Sequence, residues 1–167
     1  VIVPAYEQIT FIWHGGEPLS MGMEFYKKAL EFEEKYRKEN TKIDNLMQTN
    51  LTLLTDEFAK FLVDNNFKLG SSYDGVANDV TRGKSLEILK GRDILKAHGG
   101  NCGVIQVVSR KNVSSLLESY EFFKERRINY SLNMYVADSE NDDELALNIK
   151  EYIEKINALF DYWLMDK

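Results

Sequence analysis

The chain has 167 residues, of which 44% are hydrophobic and 12% aromatic, so it is long and apolar enough to bury the core of one ordinary domain. Its 21 basic and 27 acidic residues give a net charge of −6, which disfavours nucleic acid as the main partner. It contains no apolar run of roughly 18 residues and no signal-peptide pattern. We therefore expect a cytoplasmic chain without a membrane partner.

Cysteine content also restricts the chemistry. The single Cys102 cannot form an internal disulfide, and one thiol cannot by itself hold zinc or an iron–sulfur cluster. We interpret it as a packed structural thiol. The sequence opens on Val1 rather than Met and closes on Lys167 after an apolar-striped helix, so we expect a fragment in which 1–167 form one domain.

The first predicted strand ends in the turn His14-Gly15-Gly16-Glu17-Pro18. Two adjacent glycines leave backbone N–H and C=O groups uncovered by any Cβ, so a small polar ligand can lie against the main chain. The glutamate can hold a cation or fix the local backbone, and the proline blocks further strand pairing. Taken alone, the turn favours an ordinary strand-to-helix connection over a ligand site.

A helix is predicted next, because apolar residues recur at spacings of four, three and four. The residues of this predicted buried face are Phe25, Ala29, Phe32 and Tyr36. Thr55 has the chemistry of the N-cap of a second helix, with acidic residues in the turn that follows.

Two further stretches carry helical patterns. The first follows a loop-like segment at 76–84 and covers 86–95. Gly91 is a weak point of this predicted helix, and His98 has a capping role at its end. The last helix is predicted to open at 139–143. Its apolar seam consists of Leu145, Ile149, Tyr152, Ile156, Phe160 and Trp163.

Four more strands are predicted, at 43–50, 67–73, 103–108 and 129–135, and the run at 103–108 suggests a fully buried one. Strand and helix alternate five times without a hairpin signal. This order is typical of parallel βα units, so we predict an α/β fold, either a barrel or an open sheet.

Polar residues cluster at the ends of most of these strands. In both kinds of parallel fold, ligands bind at the carboxyl ends of the strands, because the βα loops converge there. The groups are His14-Gly15-Gly16-Glu17, Gln48-Thr49-Asn50, Ser71-Ser72-Tyr73-Asp74-Gly75 and Asn133. Several such groups on consecutive strands are hard to explain as turns alone, so we predict a ligand site.

The ordered motifs WHGGEP, QTN-x-TLL, S-x-DG, ND-x-x-R and LFDYW resemble those of the radical S-adenosylmethionine enzymes. Within that family they are similar to the SPASM-type branch, which includes anaerobic sulfatase-maturating enzymes and ribosomal-peptide maturases. The resemblance extends from Ile9 to Trp163. It implies a partial (βα) barrel of parallel strands with flanking helices, with about five βα units present.

The resemblance assigns the first turn to the cofactor. It implies that Gly15, Gly16 and Glu17 present backbone to the methionine amino group of S-adenosylmethionine. It also implies that His14 faces the substrate cavity, and we place Asn133 with it among the substrate-binding residues.

Other cofactor contacts are implied further along the chain. Ser72 and Arg82 are similar to the residues that hold the ribose and the carboxylate of the cofactor. A guanidinium suits a carboxylate because it donates two parallel hydrogen bonds. The remaining residues that we assign to the cofactor are Gln48, Thr49, Asn50 and Asp74.

Three departures from the family pattern occur near these residues. Leu51 replaces the usual glycine after QTN, and Val76 replaces the usual proline after S-x-DG. The segment 74–82 is shorter than in the sulfatase-maturating enzymes and carries Asn78 in place of a common histidine. An exposed loop arginine without a ligand is therefore the alternative interpretation of Arg82.

The largest departure is the absence of the CxxxCxxC segment, which in the family ligates a four-iron four-sulfur cluster. Nothing in the chain matches it, and the cysteine-rich auxiliary-cluster region of the SPASM branch is also missing. We therefore interpret the chain as an internal piece that covers roughly the second to sixth βα units. The cluster is expected in the full-length protein only, with no metal ligands in this chain.

The full-length enzyme is expected to use the cluster to cleave S-adenosylmethionine and to modify a peptide or protein substrate, as a maturase. The isolated fragment should be inactive, and its open strand edges and apolar last helix predict self-association. A cluster-less homologue that binds a peptide or a partner protein is the first alternative. An aldolase-type barrel fragment is the second, but it needs a lysine at a strand end, whereas Lys68 lies at a strand start.

Overall fold

The computed structural model describes residues 7–137 and 144–166 and contains five strands that alternate with helices. The strands are β1 (Gln8–Trp13), β2 (Lys42–Gln48), β3 (Lys68–Ser72), β4 (Cys102–Val108) and β5 (Tyr130–Met134). They belong to one sheet in the order β1-β2-β3-β4-β5, and the pairs β1–β2, β2–β3 and β4–β5 are parallel. The prediction of an α/β fold of parallel strands with flanking helices is confirmed.

The helices are α1 (Met23–Tyr36), α2 (Asp56–Asp64), α3 (Asn78–Thr81), α4 (Ser85–Ala97), α5 (Leu116–Glu125) and α6 (Ile149–Met165). Thr55 caps α2 as predicted, because its side chain accepts a hydrogen bond from Phe58 N at 3.2 Å. Asn148 caps α6 in the same way, through Lys150 N at 2.8 Å. In the described part of the chain, no helix is long and apolar enough to cross a membrane.

The chain divides into two compact units. The first consists of Val1–Ser71 and Leu86–Cys102, and the second of Ser72–Ser85 and Gly103–Lys167. Each unit contains a buried apolar cluster. The single domain expected over 1–167 stays a prediction.

Aromatic rings dominate the core of the first unit. Tyr26 on α1 is 1% exposed, and its ring centroid lies 5.3 Å from that of Trp13 and 5.9 Å from those of Phe58 and Phe67. The contacts with Trp13 and Phe67 are edge to face, an arrangement that adds to the free energy of apolar burial. The cluster also contains the buried residues Leu19, Met47, Leu51, Leu54, Ala59, Leu62, Leu69, Leu95 and Cys102.

Helix α4 approaches the end of β2 closely at Gly91. A Cβ at this position would lie 2.3 Å from the carbonyl oxygen of Leu51, so only glycine permits the contact. Gly91 therefore has a packing role, which its interpretation as a weak point did not include. His98 also differs from its predicted capping role, because its Nε2 lies 3.2 Å from Oδ1 of Asp56, while Gly99 closes the helix with φ of +80°.

The second unit has a smaller apolar cluster, whose buried members are Val108, Val113, Leu116, Leu147 and Leu159. Asn112 is fully buried beside it and closes the connection between β4 and α5. Its Oδ1 accepts a hydrogen bond from Ser109 N, and its Nδ2 donates one to Val107 O, both at 2.8 Å. Every polar atom of this buried amide thus lies near a backbone partner.

The predicted buried face of α1 was wrong. Phe25, Phe32 and Tyr36 are 39%, 57% and 69% exposed, and Tyr26 is the helix residue that enters the core. Phe32 and Tyr36 instead line an open apolar groove of about 390 Å³ beside β1. The helix therefore carries two apolar stripes, and periodicity alone did not show which one the core covers.

Two further expectations fail in the second unit. Burial alternates along β4, where Gly103 is exposed and Val104 buried, so this strand is not fully buried. The segment 76–84 is not a simple loop, because it contains α3 and part of the 3-10 turn Gly75–Ala77.

The last helix also differs from its prediction. Its expected opening at 139–143 lies outside the described residues, and the observed helix begins at Ile149. Leu159 is the buried helix residue, whereas Phe160 and Trp163 are 53% and 52% exposed. Of the predicted seam, Tyr152 and Ile156 pack against the buried cluster, whereas Ile149, Phe160 and Trp163 are exposed.

A carboxylate joins the starts of three strands in the first unit. Asp44 on β2 accepts hydrogen bonds from Gln8 Nε2 at 2.6 Å and from Lys68 Nζ at 3.1 Å, and it pairs with Lys42 Nζ at 3.0 Å. The hydrogen bonds from Lys42 and Lys68 lower the pKa of Asp44 to about 2. Lys68 is engaged at the start of β3, which argues against the aldolase-type alternative.

We predict that Asp44→Asn destabilises the chain in a pH-dependent way. The carboxyl has a folded pKa below its unfolded value of about 3.9, so its contribution is complete above about pH 4 and is lost as the pH falls towards 2. Urea denaturation should show a lower midpoint for the variant at pH 7 and equal midpoints near pH 2. Asp93→Asn, at an exposed position on α4, is the control, and an equal midpoint difference at both pH values for Asp44→Asn would contradict the prediction.

Candidate functional site

The turn after β1 exposes bare backbone. The strand ends at Trp13, His14 is exposed, and Gly15 and Gly16 have φ of +93° and +51°. Among the described residues, no heavy atom lies within 4 Å of the position that a Cβ would occupy on either glycine. The left-handed backbone favours glycine here, and the open space beside it can admit a ligand.

The side chain of Glu17 fixes this turn to the end of β2. Its Oε1 accepts hydrogen bonds from Leu19 N at 3.0 Å and from Thr49 Oγ1 at 2.5 Å, and its Oε2 accepts one from Asn50 N at 2.9 Å. Of the two roles left open by the sequence, holding a cation or fixing the backbone, these contacts perform the second. The structure thereby joins three of the predicted site residues.

Tyr26 holds the same side of the turn one residue further on, at Pro18, and sequence reasoning did not find it. Its hydroxyl donates a hydrogen bond to Pro18 O at 2.8 Å. Burial, with a smaller effect from the charge of Glu17, raises the pKa of Tyr26 to about 12, so the hydroxyl stays protonated and remains a donor. Its position eight residues after Pro18 offered no local signal, because the contact is tertiary.

The end of β2 carries the next predicted residues. Thr49 is 3% exposed, and its backbone N–H donates to Gly70 O at 3.0 Å. A Cβ on Gly70 would lie 2.4 Å from Oε1 of Gln48, so the glutamine side chain lies directly over this glycine. Asn50 is exposed, and its Oδ1 accepts from Thr52 N at 2.9 Å.

Leu51 replaces the glycine that is usual in the resembled family, and it adopts the backbone of one. Its φ is +61°, while its side chain is only 1% exposed. A left-handed leucine costs about 1 to 2 kcal/mol, and burying its side chain returns about 1.5 to 3 kcal/mol. The departure is therefore compatible with the same local conformation.

A buried carboxylate organises the connection after β3, in the second unit. Asp74 is 3% exposed, and its Oδ1 accepts a hydrogen bond from Val107 N while its Oδ2 accepts one from Arg82 Nε, both at 2.9 Å. The terminal nitrogens Nη1 and Nη2 of Arg82 form no hydrogen bond or ion pair with the described residues, and its side chain is 33% exposed. Arg82 is thus held through Nε, and the fork formed by its Nη1 and Nη2 stays open among the described residues.

Asn78 closes the segment that carries Arg82. This fully buried amide accepts a hydrogen bond from Asp74 N at 3.0 Å and donates to Gly83 O at 2.9 Å and to Ser85 Oγ at 3.0 Å. It therefore organises the segment, a role that its identity alone did not indicate. These contacts close the short segment 74–82 and so bring Arg82 next to Asp74.

The remaining predicted residues belong to different elements. His14 belongs to the turn of the first unit, and Asn133 is exposed on β5 of the second. Ser72 is half-buried at the end of β3.

The residues present do not fit an iron–sulfur cluster. Cys102 is the one cysteine of the sequence, and burial raises the pKa of its thiol to about 11, whereas a cluster needs several thiolates. No group of three or more His, Cys, Asp or Glu side chains in the described ranges could hold a metal ion.

No protein-family model matches the chain. Individual relatives do match. The serine-type anaerobic sulfatase-maturating enzyme of Bacteroides thetaiotaomicron is 40% identical over 131 residues, which cover 74% of this chain and 31% of the relative. The cysteine-type enzyme of Clostridium novyi is 30% identical, with 97% of this chain and 46% of the relative covered.

A solved structure has the same fold. Native anSMEcpe with bound AdoMet and Kp18Cys peptide matches with a TM-score of 0.88 and 26% identity, over 96% of this chain and 48% of that one. The chain thus spans about half the length, or less, of these relatives.

The sequence matches and the shared α/β fold relate the chain to the radical S-adenosylmethionine enzymes. Within that class, it is a homologue of the anaerobic sulfatase-maturating enzymes. The family indicated by the sequence motifs is confirmed.

We predict that Glu17→Ala lowers the free energy of unfolding by about 2 kcal/mol, because three hydrogen bonds to a charged acceptor are lost. Glu17→Gln should lower the free energy of unfolding by less, because the glutamine side chain keeps one acceptor oxygen. Urea denaturation at pH 7 measures both values. Glu24→Ala removes an exposed pair with Lys27 and should change the free energy by less than about 0.5 kcal/mol; an equal effect of Glu17→Ala would contradict the assignment.

Proposed function

We propose that the chain is the central part of a radical S-adenosylmethionine maturase that modifies a sulfatase-like peptide or protein. The observation that carries the proposal is the open Gly15-Gly16 backbone, fixed on its C-terminal side by Glu17 and by the hydrogen bond from Tyr26 to Pro18. The homology supports it, because the relatives are sulfatase-maturating enzymes and a solved neighbour has AdoMet and a peptide bound.

In the first unit, we assign the cofactor's amino group to the backbone of Gly15 and Gly16. Carbonyl oxygens in such a turn can accept from an ammonium group without interference from side chains. Glu17 and Thr49 act indirectly, since their side chains bond to each other. Gln48 and Asn50 complete this assignment at the end of β2.

In the second unit, we assign the cofactor's carboxylate to Arg82. Its Nη1 and Nη2 can donate two parallel hydrogen bonds, the arrangement that a carboxylate prefers. Asp74 is a positioning residue, because it orients the guanidinium through Nε at 2.9 Å. The hydroxyl of Ser72 is assigned to the ribose, and His14 and Asn133 to the substrate.

Bound S-adenosylmethionine supplies, on reductive cleavage, the radical that removes a hydrogen atom from the substrate. Cleavage needs an iron–sulfur cluster, whose ligands this chain does not provide. The chain's own residues bind and orient the cofactor, so the chain alone should bind it without cleaving it. A cytoplasmic location belongs to the same proposal and is supported by the single, buried thiol.

We predict that Arg82→Ala weakens the binding of S-adenosylmethionine at least about tenfold, the effect of losing charge-assisted hydrogen bonds to a carboxylate. The affinity of Arg82→Lys should lie between those of wild type and Arg82→Ala, because lysine keeps the positive charge but cannot donate two parallel hydrogen bonds. Isothermal titration of the 167-residue chain measures the three affinities. Arg37→Ala, which removes an arginine paired with Glu34, is the matched control.

Thermal unfolding must accompany these titrations, because Arg82→Ala also strips the buried Asp74 of a partner. Unchanged affinity in a folded Arg82→Ala variant would remove Arg82 from the site. A parallel titration with a cysteine- or serine-containing sulfatase peptide separates the alternatives. Peptide binding without any cofactor binding would favour the cluster-less peptide-binding homologue over the maturase.

Self-association through β1 is the second part of the proposal. β1 is at one end of the strand order, and its residues Ile9, Phe11 and Ile12 are 37%, 39% and 67% exposed. The strand sequence QITFIW contains no charge or proline, the usual protection of an edge. A second copy can pair with this edge and cover the adjoining apolar groove.

We therefore predict that Ile12→Lys reduces the average mass of the chain in solution, because a lysine on an edge strand opposes pairing. Light scattering over a concentration series measures the mass. Leu86→Lys, at an 81% exposed position on α4, should leave it unchanged. A monomeric wild-type chain, or an equal effect of both variants, would contradict association through β1.

A further inference from the structure

A chain of hydrogen bonds leads from α1 to the residue that precedes the glycine turn. Trp13 Nε1 donates to Asn45 Oδ1 at 2.7 Å, and Asn45 Nδ2 donates to Glu33 Oε2 at 2.8 Å. Asn45 is 5% exposed in the middle of β2. Three secondary-structure elements, β1, β2 and α1, are therefore joined through one buried amide.

The chemistry of the partners fixes the orientation of Asn45. The indole N–H of Trp13 can only donate, and the carboxylate of Glu33 can only accept. An amide, with an acceptor and a donor on the same group, satisfies both. Burial raises the pKa of Glu33 and the hydrogen bond from Asn45 lowers it, so amide and carboxylate stabilise each other.

Trp13 and Tyr26 together hold the two ends of the turn. Trp13 directly precedes His14, and the Tyr26 hydroxyl donates to Pro18 O at 2.8 Å. The two rings meet edge to face, with centroids 5.3 Å apart and an interplanar angle of 85°. A rotation of the indole would therefore disturb both the start of the turn and the ring that holds its end.

We infer that Asn45 is a positioning residue for the cofactor-binding turn and acts through Trp13. The inference rests on the proposed assignment of Gly15 and Gly16 to S-adenosylmethionine. Neither Asn45 nor Glu33 needs to contact the ligand. Their effect is to keep the indole in the one orientation that leaves the turn ready to bind.

The test compares Asn45→Leu, which has a similar size but no polar group, with Glu33→Gln, which keeps an acceptor for the amide. The control is Leu62→Ala, which destabilises the same buried cluster from α2. Titration gives the affinity for S-adenosylmethionine. Nitrogen-15 NMR gives the indole signal of Trp13, identified by its persistence in Trp163→Phe, since the chain has 2 tryptophans.

We expect Asn45→Leu to shift the indole signal and to weaken binding about tenfold, while Glu33→Gln stays within about twofold of wild type. Leu62→Ala should lower stability and move neither readout. Equal affinities of folded Asn45→Leu and Leu62→Ala would overturn the inference.

A second readout separates this inference from the proposed function. Leu19 N and Asn50 N donate to Glu17, so their amide exchange reports on the turn without any ligand. If wild type does not bind S-adenosylmethionine, the proposed function fails for this chain, and exchange still decides on Asn45. Faster exchange at these amides in Asn45→Leu than in Leu62→Ala supports the inference, and equal exchange overturns it.

Discussion

The three hydrogen bonds that Glu17 accepts determine what the glycine turn can do. They come from Leu19 N, Thr49 Oγ1 and Asn50 N, so both carboxylate oxygens are committed to the protein. Hydrogen bonds to an ionised acceptor are among the stronger ones, and here they join the turn to the next strand. The Glu17 side chain therefore fixes the conformation of the turn. The exposed backbone of the two glycines is the part of the turn that a ligand can still contact.

The second unit uses the same principle at the end of β3. Asp74 accepts from Val107 N and from Arg82 Nε, and it is 3% exposed, so it too acts on its neighbours rather than on a ligand. What it leaves open is the terminal fork of Arg82. A guanidinium with an open fork can donate two parallel hydrogen bonds to a carboxylate.

The sequence allowed the prediction of features whose causes are local. The N-cap at Thr55 and the alternation of strands and helices follow from side-chain chemistry and period, and both were observed. The side of α1 that faces the core was not predictable in this way, because the helix has apolar residues on two faces. Tyr26 and Asn45 were missed for a related reason. Their roles depend on hydrogen bonds to residues outside their own secondary-structure elements, Tyr26 to Pro18 O and Asn45 to the Trp13 indole, and no spacing in the sequence reveals these contacts.

Leu51 shows how a departure from a motif can leave its geometry intact. Glycine is the usual residue where a backbone turns left-handed, but Leu51 takes φ of +61° and buries its side chain to 1% exposure. The strain of about 1 to 2 kcal/mol is offset by an apolar burial of similar or larger size. Gly91 lies against this residue, and a Cβ there would lie 2.3 Å from the Leu51 carbonyl oxygen. The missing side chain on α4 thus gives the leucine room, and the end of β2 keeps the conformation on which the contacts of Thr49 and Glu17 depend.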